Sequence, residues 1–264
     1  MGGSNPPSRL TEIPETFVPV DHSRRPRVLA EEVIVVLSLS LLASAFDALF
    51  SFLSAPVNRT VAVGLFRDVE LARQVTDIAF ALAPVALVLY LARRWAEPLA
   101  SIGLGSVGLR KDVGWGTLLG LAVSAGGLGI YLSAIALNVN RFVVPVPPLG
   151  HWWTIPILLL SAGQNALVEE VVAVGYLIRR LEQIGWAGGS ALAASAVLRG
   201  TYHLYQGWGG FVGNLVLGGI FGFVYLRWRR VWPLVVAHLM IDVLAGLGYI
   251  VFRGHCFWDL CIPR

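Results

Sequence analysis

Lysine is all but missing: Lys111 is the only one in 264 residues, and the other basic side chains are arginines. Charge of any kind is scarce, at 14% of the chain against 56% hydrophobic residues, and mean hydropathy is +0.70. So little charge cannot clothe a water-exposed surface. It leaves a polytopic membrane protein, in which each helical span takes about 20 apolar residues. Spans of this kind are helical because lipid offers the backbone no hydrogen-bond partner. The chain holds two cysteines, too few for a disulfide framework. No apolar core precedes a small-residue cleavage site in residues 1–27, which excludes a signal peptide and reads as a disordered cytosolic tail. No His-Glu-xx-His is present, so the usual single-helix zinc motif is excluded. No inverted repeat or Gly/Pro-broken pair of helices appears in matching halves, which argues against a transporter using its acids as proton relays.

What is there reads as an all-α bundle of about seven spans enclosing an intramembrane polar chamber. The expected spans are Val33 to Leu53, Leu71 to Leu91, Trp115 to Leu137, Trp152 to Arg180, Ala187 to Tyr205, Phe211 to Leu226 and Trp232 to Phe252. Four regions follow: the tail 1–27, N-terminal helices 28–150, a helical core 151–248 and a short C-terminal segment 249–264. Arginines cluster at span ends, so the basic pI of 9.4 needs no nucleic-acid partner. Counting Lys and Arg in alternate loops gives thirteen on the side of the tail and five on the other. That asymmetry predicts a cytosolic N-terminus and an external C-terminus. The arginine bias resembles a GC-rich bacterial genome, hence a bacterial plasma membrane. Cys256 and Cys261 both follow the last span, on the external face where a bridge would persist. Arg73 and Asp77 stand at i,i+4 and predict a structural ion pair. Gly218-xxx-Gly222 predicts a close helix contact, and Asn214 a hydrogen bond across helices. Asp47 lines a cavity or snorkels, and Asn58-Arg59-Thr60 is a chance glycosylation pattern.

The chemistry gathers in WWTIPILLLSAGQNALVEEVVAVGYLIRR, Trp152 to Arg180. Glu169 and Glu170 are adjacent acids inside an apolar segment, where one acid alone costs about 2.5–3.5 kcal/mol on insertion scales. Such residues read as functional unless paired. Asn165 shares the helix face of Glu169, and His203, His238 and Asp242 lie in later spans. In an α-helix Glu170 stands about 100° round from Glu169, so it is expected to bind a neighbour and not the same water. His238 and Asp242 share a face at i,i+4, so the carboxylate can fix the imidazole. Helix rise sets Glu169 about 16 Å above Arg180, but His203 about 25 Å above Trp186. The two meet only if the fifth helix starts below the membrane border or tilts.

Glu169-Glu170, then Gly175-Tyr176-Leu177, a histidine on the next span and His238-xxx-Asp242 resemble the CPBP (CAAX protease and bacteriocin-processing) family of intramembrane endopeptidases. That family includes the Rce1-type prenyl protein proteases. The resemblance covers about residues 152–248. It implies that Glu169 activates water, that His203 positions the water or its metal, and that His238 meets the oxyanion, with Glu170 and Asp242 completing the catalytic set. Two positions depart: Val174 stands where the family has arginine, and Arg199 where it has phenylalanine. Arg199 is therefore predicted to replace the absent guanidinium in space and pair with Glu170 or Glu169, the alternative being a substrate carboxylate. Glu169, His203, His238 and Asp242 are plausible ligands for one zinc ion, and the residues fit a metal-dependent or a glutamate-based protease alike. The expected partners are the lipid bilayer and a peptide or protein substrate. The competing reading is a non-proteolytic scaffold or immunity-type protein, in which the lost arginine marks lost chemistry.

Overall fold

The computed structural model describes residues 25–39, 41, 45, 67–106, 108–137, 140, 143, 146–257 and 260–261. Helices follow one another with short links: α1 Arg25–Ser38, α2 Arg67–Ala81, α3 Ala83–Arg94, α4 Leu109–Ala136 and α5 Thr154–Val168. α5 continues as a π-helical segment, Glu169–Tyr176, and then as α6, Leu177–Gln183. α7 is Gly188–Tyr202, α8 Trp208–Trp228 and α9 Trp232–Phe252. β1 Cys256–Phe257 and β2 Leu260–Cys261 pair antiparallel with Cys256 opposite Cys261. The expected tail ends before residue 27, because Arg25, Pro26 and Arg27 already form the first turn of α1. Proline is tolerated there, where its missing N–H has no helical acceptor anyway. Residues 1–24, Asp47, the Asn58-Arg59-Thr60 triplet and Arg141 lie outside the described residues.

Among the described residues, five helices are long and apolar enough to cross a membrane: Glu70–Arg94, Leu109–Ile135, Thr154–Gln183, Trp208–Trp228 and Trp232–Phe252. The expected fifth span falls short. α7 has 15 residues, about 22 Å at helical rise, less than a hydrocarbon core of roughly 30 Å. The first expected span is described as a helix only through Ser38. The central element is Thr154–Gln183: 56% of its most apolar window is buried, against 11% for Glu70–Arg94 and for Leu109–Ile135. The outer helices turn large apolar side chains outward, as lipid requires; Phe80, Phe223 and Val251 are 75%, 65% and 63% exposed.

Small residues let the backbones close up. A Cβ on Gly116 of α4 would stand 2.6 Å from the Pro233 carbonyl of α9, and one on Gly120 3.0 Å from that of Ala237. The predicted Gly218-xxx-Gly222 face of α8 packs on α7, where Cβ atoms would meet Ala196 Cα and Leu192 Cγ, each at 2.9 Å. With no hydrophobic drive between helices in lipid, such contact supplies the attraction. Asn214 differs from expectation: its amide donates to Gly210 O on its own helix at 3.0 Å. Arg73 does reach Asp77, at 2.7 Å, and also Glu70.

Charges tie the loop ends together. Arg180, fully buried, donates from Nη1 to Glu97 and Gln183 at 2.7 Å each and lies over the Tyr176 ring. Trp95 donates to Glu32 of α1 at 2.5 Å, beside that cluster. Arg229 pairs with Glu182, and Arg230 with Asp112 of α4. Hydrogen bonds donated to these carboxylates hold both guanidinium pKa values above the ordinary arginine range.

The height mismatch for His203 also resolves. From Glu169 the chain has fifteen helical residues, π plus α6, before α6 ends at Gln183, and α7 has fifteen. Each run is about 22 Å at α rise, so Glu169 and the end of α7 reach similar depth. Arg180 was the wrong reference point, because the helix runs on past it.

Candidate active site

The π-helical segment carries the acids. In Glu169–Tyr176 the ladder slips to i→i−5, as in Leu177 N–H to Val172 O. Such segments are short and recur at functional sites. Side chains from two neighbouring helices brace it: Ser195 Oγ of α7 donates to Ala173 O at 2.7 Å, and Tyr225 OH of α8 to Gly175 O at 3.1 Å. Gly175 is required by close approach, since a Cβ would stand 2.7 Å from Ile102 O and 2.8 Å from Val231 Cγ2. Glu169 and Glu170, adjacent at the start of this segment, both reach Arg199, and Glu170 also meets His238.

Arg199, 1% exposed, brackets the two acids. Nη1 is 2.8 Å from Glu170 Oε1 and Nη2 is 3.2 Å from Glu169 Oε2. The predicted pairing of Arg199 with the acids is present. The guanidinium also faces the Phe221 ring at 5.2 Å from its centroid, a cation–π contact from α8. Its fork geometry suits two carboxylates at once, which an ammonium could not match.

His238 of α9 completes the group. Nδ1 lies 2.7 Å from Glu170 Oε1 and 3.1 Å from Arg199 Nη2. A contact that short with a carboxylate oxygen places the proton on Nδ1, donating to Glu170, and makes the arginine contact a close neighbour and not a hydrogen bond. Nε2 faces Asp242 Oδ2 at 3.7 Å. Asn165 lies beside the Asp242 carboxylate as its side-chain partner. His203 stands at the C-cap of α7, where Nδ1 meets Arg199 O at 3.0 Å. Its ring sits between Tyr202 and Tyr205, close enough to Glu169 for their charges to interact.

The two acids are not equivalent. Glu170 is sealed, with a side chain 0% exposed and Oε1 shared by Arg199 and His238. Glu169 is 13% exposed, and its Oε2 accepts from Tyr202 OH at 2.7 Å. Glu169 Oε1 has no partner among the described residues.

Glu169, Glu170 and His238 offer donor atoms all within 4.8 Å of one another, a set that could hold a metal ion. Glu170 Oε2 is buried without a partner, an orphan that a cation would satisfy. Against this, Arg199 already lies against both carboxylates. His203 and Asp242, the other expected ligands, are not in that tight group.

Tyr202, Ser195 and Phe221 escaped the sequence reading. The usable signal was a face of α7: Ser195, Arg199 and Tyr202 recur at i, i+4 and i+7, a polar stripe on an otherwise apolar helix.

Residues 151–244 match the family model of Type II CAAX prenyl endopeptidase, Rce1-like. All the residues just described from Asn165 to Asp242 fall inside the match. No curated protein and no solved structure matches the chain.

Proposed function

We propose that this Rce1-like chain is an intramembrane endopeptidase that hydrolyses a peptide bond of a membrane-delivered peptide or protein, with Glu169 activating the water. One observation carries the reading: of two adjacent acids, one is sealed and locked by arginine and histidine while the other, partly exposed, keeps an oxygen open. A locked acid serves as scaffold, and an open one can take a proton.

The steps balance on this chain's own groups. Glu169 Oε1 takes a proton from water as the oxygen attacks the scissile carbonyl. His203, with Nδ1 turned to the Arg199 carbonyl, presents Nε2 as acceptor for the other water hydrogen. His238 lies between Glu170 and Asp242, and a proton on Nε2 can be given as a hydrogen bond to the oxyanion. Asp242 is ionised in this role and cannot donate, so it orients the ring. Glu169 then returns its proton to the leaving amine. A divalent ion bound to Glu169, Glu170 and His238 would supply Lewis acidity to the same carbonyl.

Arg199 also bears on the scaffold or immunity-type reading. That reading takes the loss of arginine at position 174 as lost chemistry, yet a guanidinium stands against both acids from another helix.

The deciding measurement uses the purified full chain in nanodiscs with membrane-anchored peptides. Wild type should cleave and Glu169→Gln should lose about 10²–10⁴ in rate, the usual contribution of a general base, with its melting unchanged. A Glu169→Gln variant that cleaves at the wild-type rate, or a wild type that cleaves no peptide while its cellular phenotype survives the substitution, overturns the proposal.

A further inference from the structure

The reacting oxygen of Glu169 is singled out by a residue outside the motif. A carboxylate turns about a broad, roughly two-fold terminal torsion, so an unrestrained glutamate presents either oxygen to a substrate. Here a hydroxyl donor and a guanidinium converge on one of them. Tyr202 OH donates to Oε2 at 2.7 Å, and Arg199 Nη2 stands 3.2 Å from the same atom. Nothing among the described residues takes Oε1. Tyr202 is itself held: it is 6% exposed, and its ring packs on His203 with centroids 4.8 Å apart.

We propose that Tyr202 is a positioning residue, whose hydroxyl pins Oε2 of Glu169 and so leaves Oε1 as the oxygen that meets water. The inference rests on the peptidase reading for its catalytic consequence, while the contact itself stands apart from that reading. It also explains how neighbouring residues divide the work. Tyr202 and His203 adjoin in sequence at the end of α7, where the helix closes and His203 leaves it as the C-cap. One side chain fixes the base and the next faces the water. A phenol donating to a carboxylate is not available as a proton acceptor, so Tyr202 holds and does not react. Arg199 alone would not suffice, because its Nη1 is committed to Glu170 and its shift would carry both acids together.

The test has two arms on the full chain in nanodiscs. Tyr202→Phe removes the hydroxyl and keeps the ring. In the first arm kcat is expected to fall about tenfold while KM stays within about twofold, because the lost term acts on the reacting group and not on substrate binding. The same substitution in a Glu169→Gln background should cost nothing further. In the second arm, ultraviolet resonance Raman reads whether a tyrosine hydroxyl donates to a strong acceptor. The wild type minus Tyr202→Phe difference should show such a donor, and Glu169→Ala should abolish it. Should Tyr202→Phe fail to fold, wild type against Glu169→Ala makes the same reading. A missing donor signature, an unchanged kcat, or a raised KM with kcat intact each overturns the proposal. A donor signature in a chain that cleaves no peptide upholds the contact and sinks the peptidase reading alone.

Discussion

Arg199 Nη1 stands 2.8 Å from Glu170 Oε1, both residues almost fully buried and 29 positions apart in the chain. The cation therefore belongs to one helix and the anion to another, and removing either leaves the other without its closest charged partner. Breaking such a pair from one side costs about 3–5 kcal/mol, whereas removing both partners is often near neutral. Arg199→Met should thus lower unfolding stability by that order in detergent, and Arg199→Met with Glu170→Gln should recover most of it. Equal loss in the single and double variants would show that the pair is not what holds the helices.

The same pair can be moved. Arg199→Phe should deplete folded protein, and adding Val174→Arg returns a guanidinium to the π segment and should restore it. Val174 is only 1% exposed, so the restored yield measures whether space opened by the substitution admits the longer side chain. Size-exclusion recovery after solubilisation reads the outcome.

Guanidinium and metal compete for one place. With Arg199 gone, three donors within 4.8 Å lose their resident cation. Arg199→Met purified with excess zinc should carry more metal per chain by elemental analysis than wild type treated alike. Equal metal content would show that the arginine does not govern access.

Two glycines on one helix should behave oppositely. Gly116→Ala forces a Cβ to 2.6 Å from the Pro233 carbonyl and should cost about 1–3 kcal/mol, the usual penalty for overpacking. Gly126→Ala meets nothing within 4 Å and should stabilise by up to about 1 kcal/mol through helix propensity. Thermal unfolding of both in one detergent compares them directly.

Bracing of the π segment can be measured apart from its charges. Ser195→Ala and Tyr225→Phe each remove one donor to a carbonyl of that segment. Interhelical hydrogen bonds in membranes average about 0.6 kcal/mol with a maximum near 1.7, so each loss of stability should fall in that range. Loss of peptide cleavage well beyond what the stability change implies would mark the π geometry as functional.

Sequence carried the long helices well, because twenty apolar residues between arginines have few alternatives. It carried the grouping of the acids with His238 and the Arg199 pairing, because charge inside an apolar run demands a partner. The π segment was not legible. Glu-Glu-Val-Val-Ala-Val-Gly-Tyr has ordinary helical composition, and the donors that meet its carbonyls, Ser195 and Tyr225, come from other helices. Asn214 failed for a related reason: an asparagine that can reach its own helix carbonyl needs no neighbour. Tyr202 was hidden by its dual character, since an aromatic near a helix end reads as an interfacial anchor until its hydroxyl is placed.

Ile102 and Gly103 sit in a 3₁₀ turn and its cap between α3 and α4, far from the acids in sequence. Ile102 O is the atom a Cβ on Gly175 would strike, and Gly103 O accepts from Val231 N at 2.9 Å. Asn140 Oδ1 likewise takes the Gly210 amide at 2.7 Å, just beyond the His203 turn. The family-like stretch is thus seated in a mould to which the N-terminal half contributes. A chimera that transplants residues 151–244 into another helical membrane protein inherits the acids but not the mould, unless residues 99–140 travel with them.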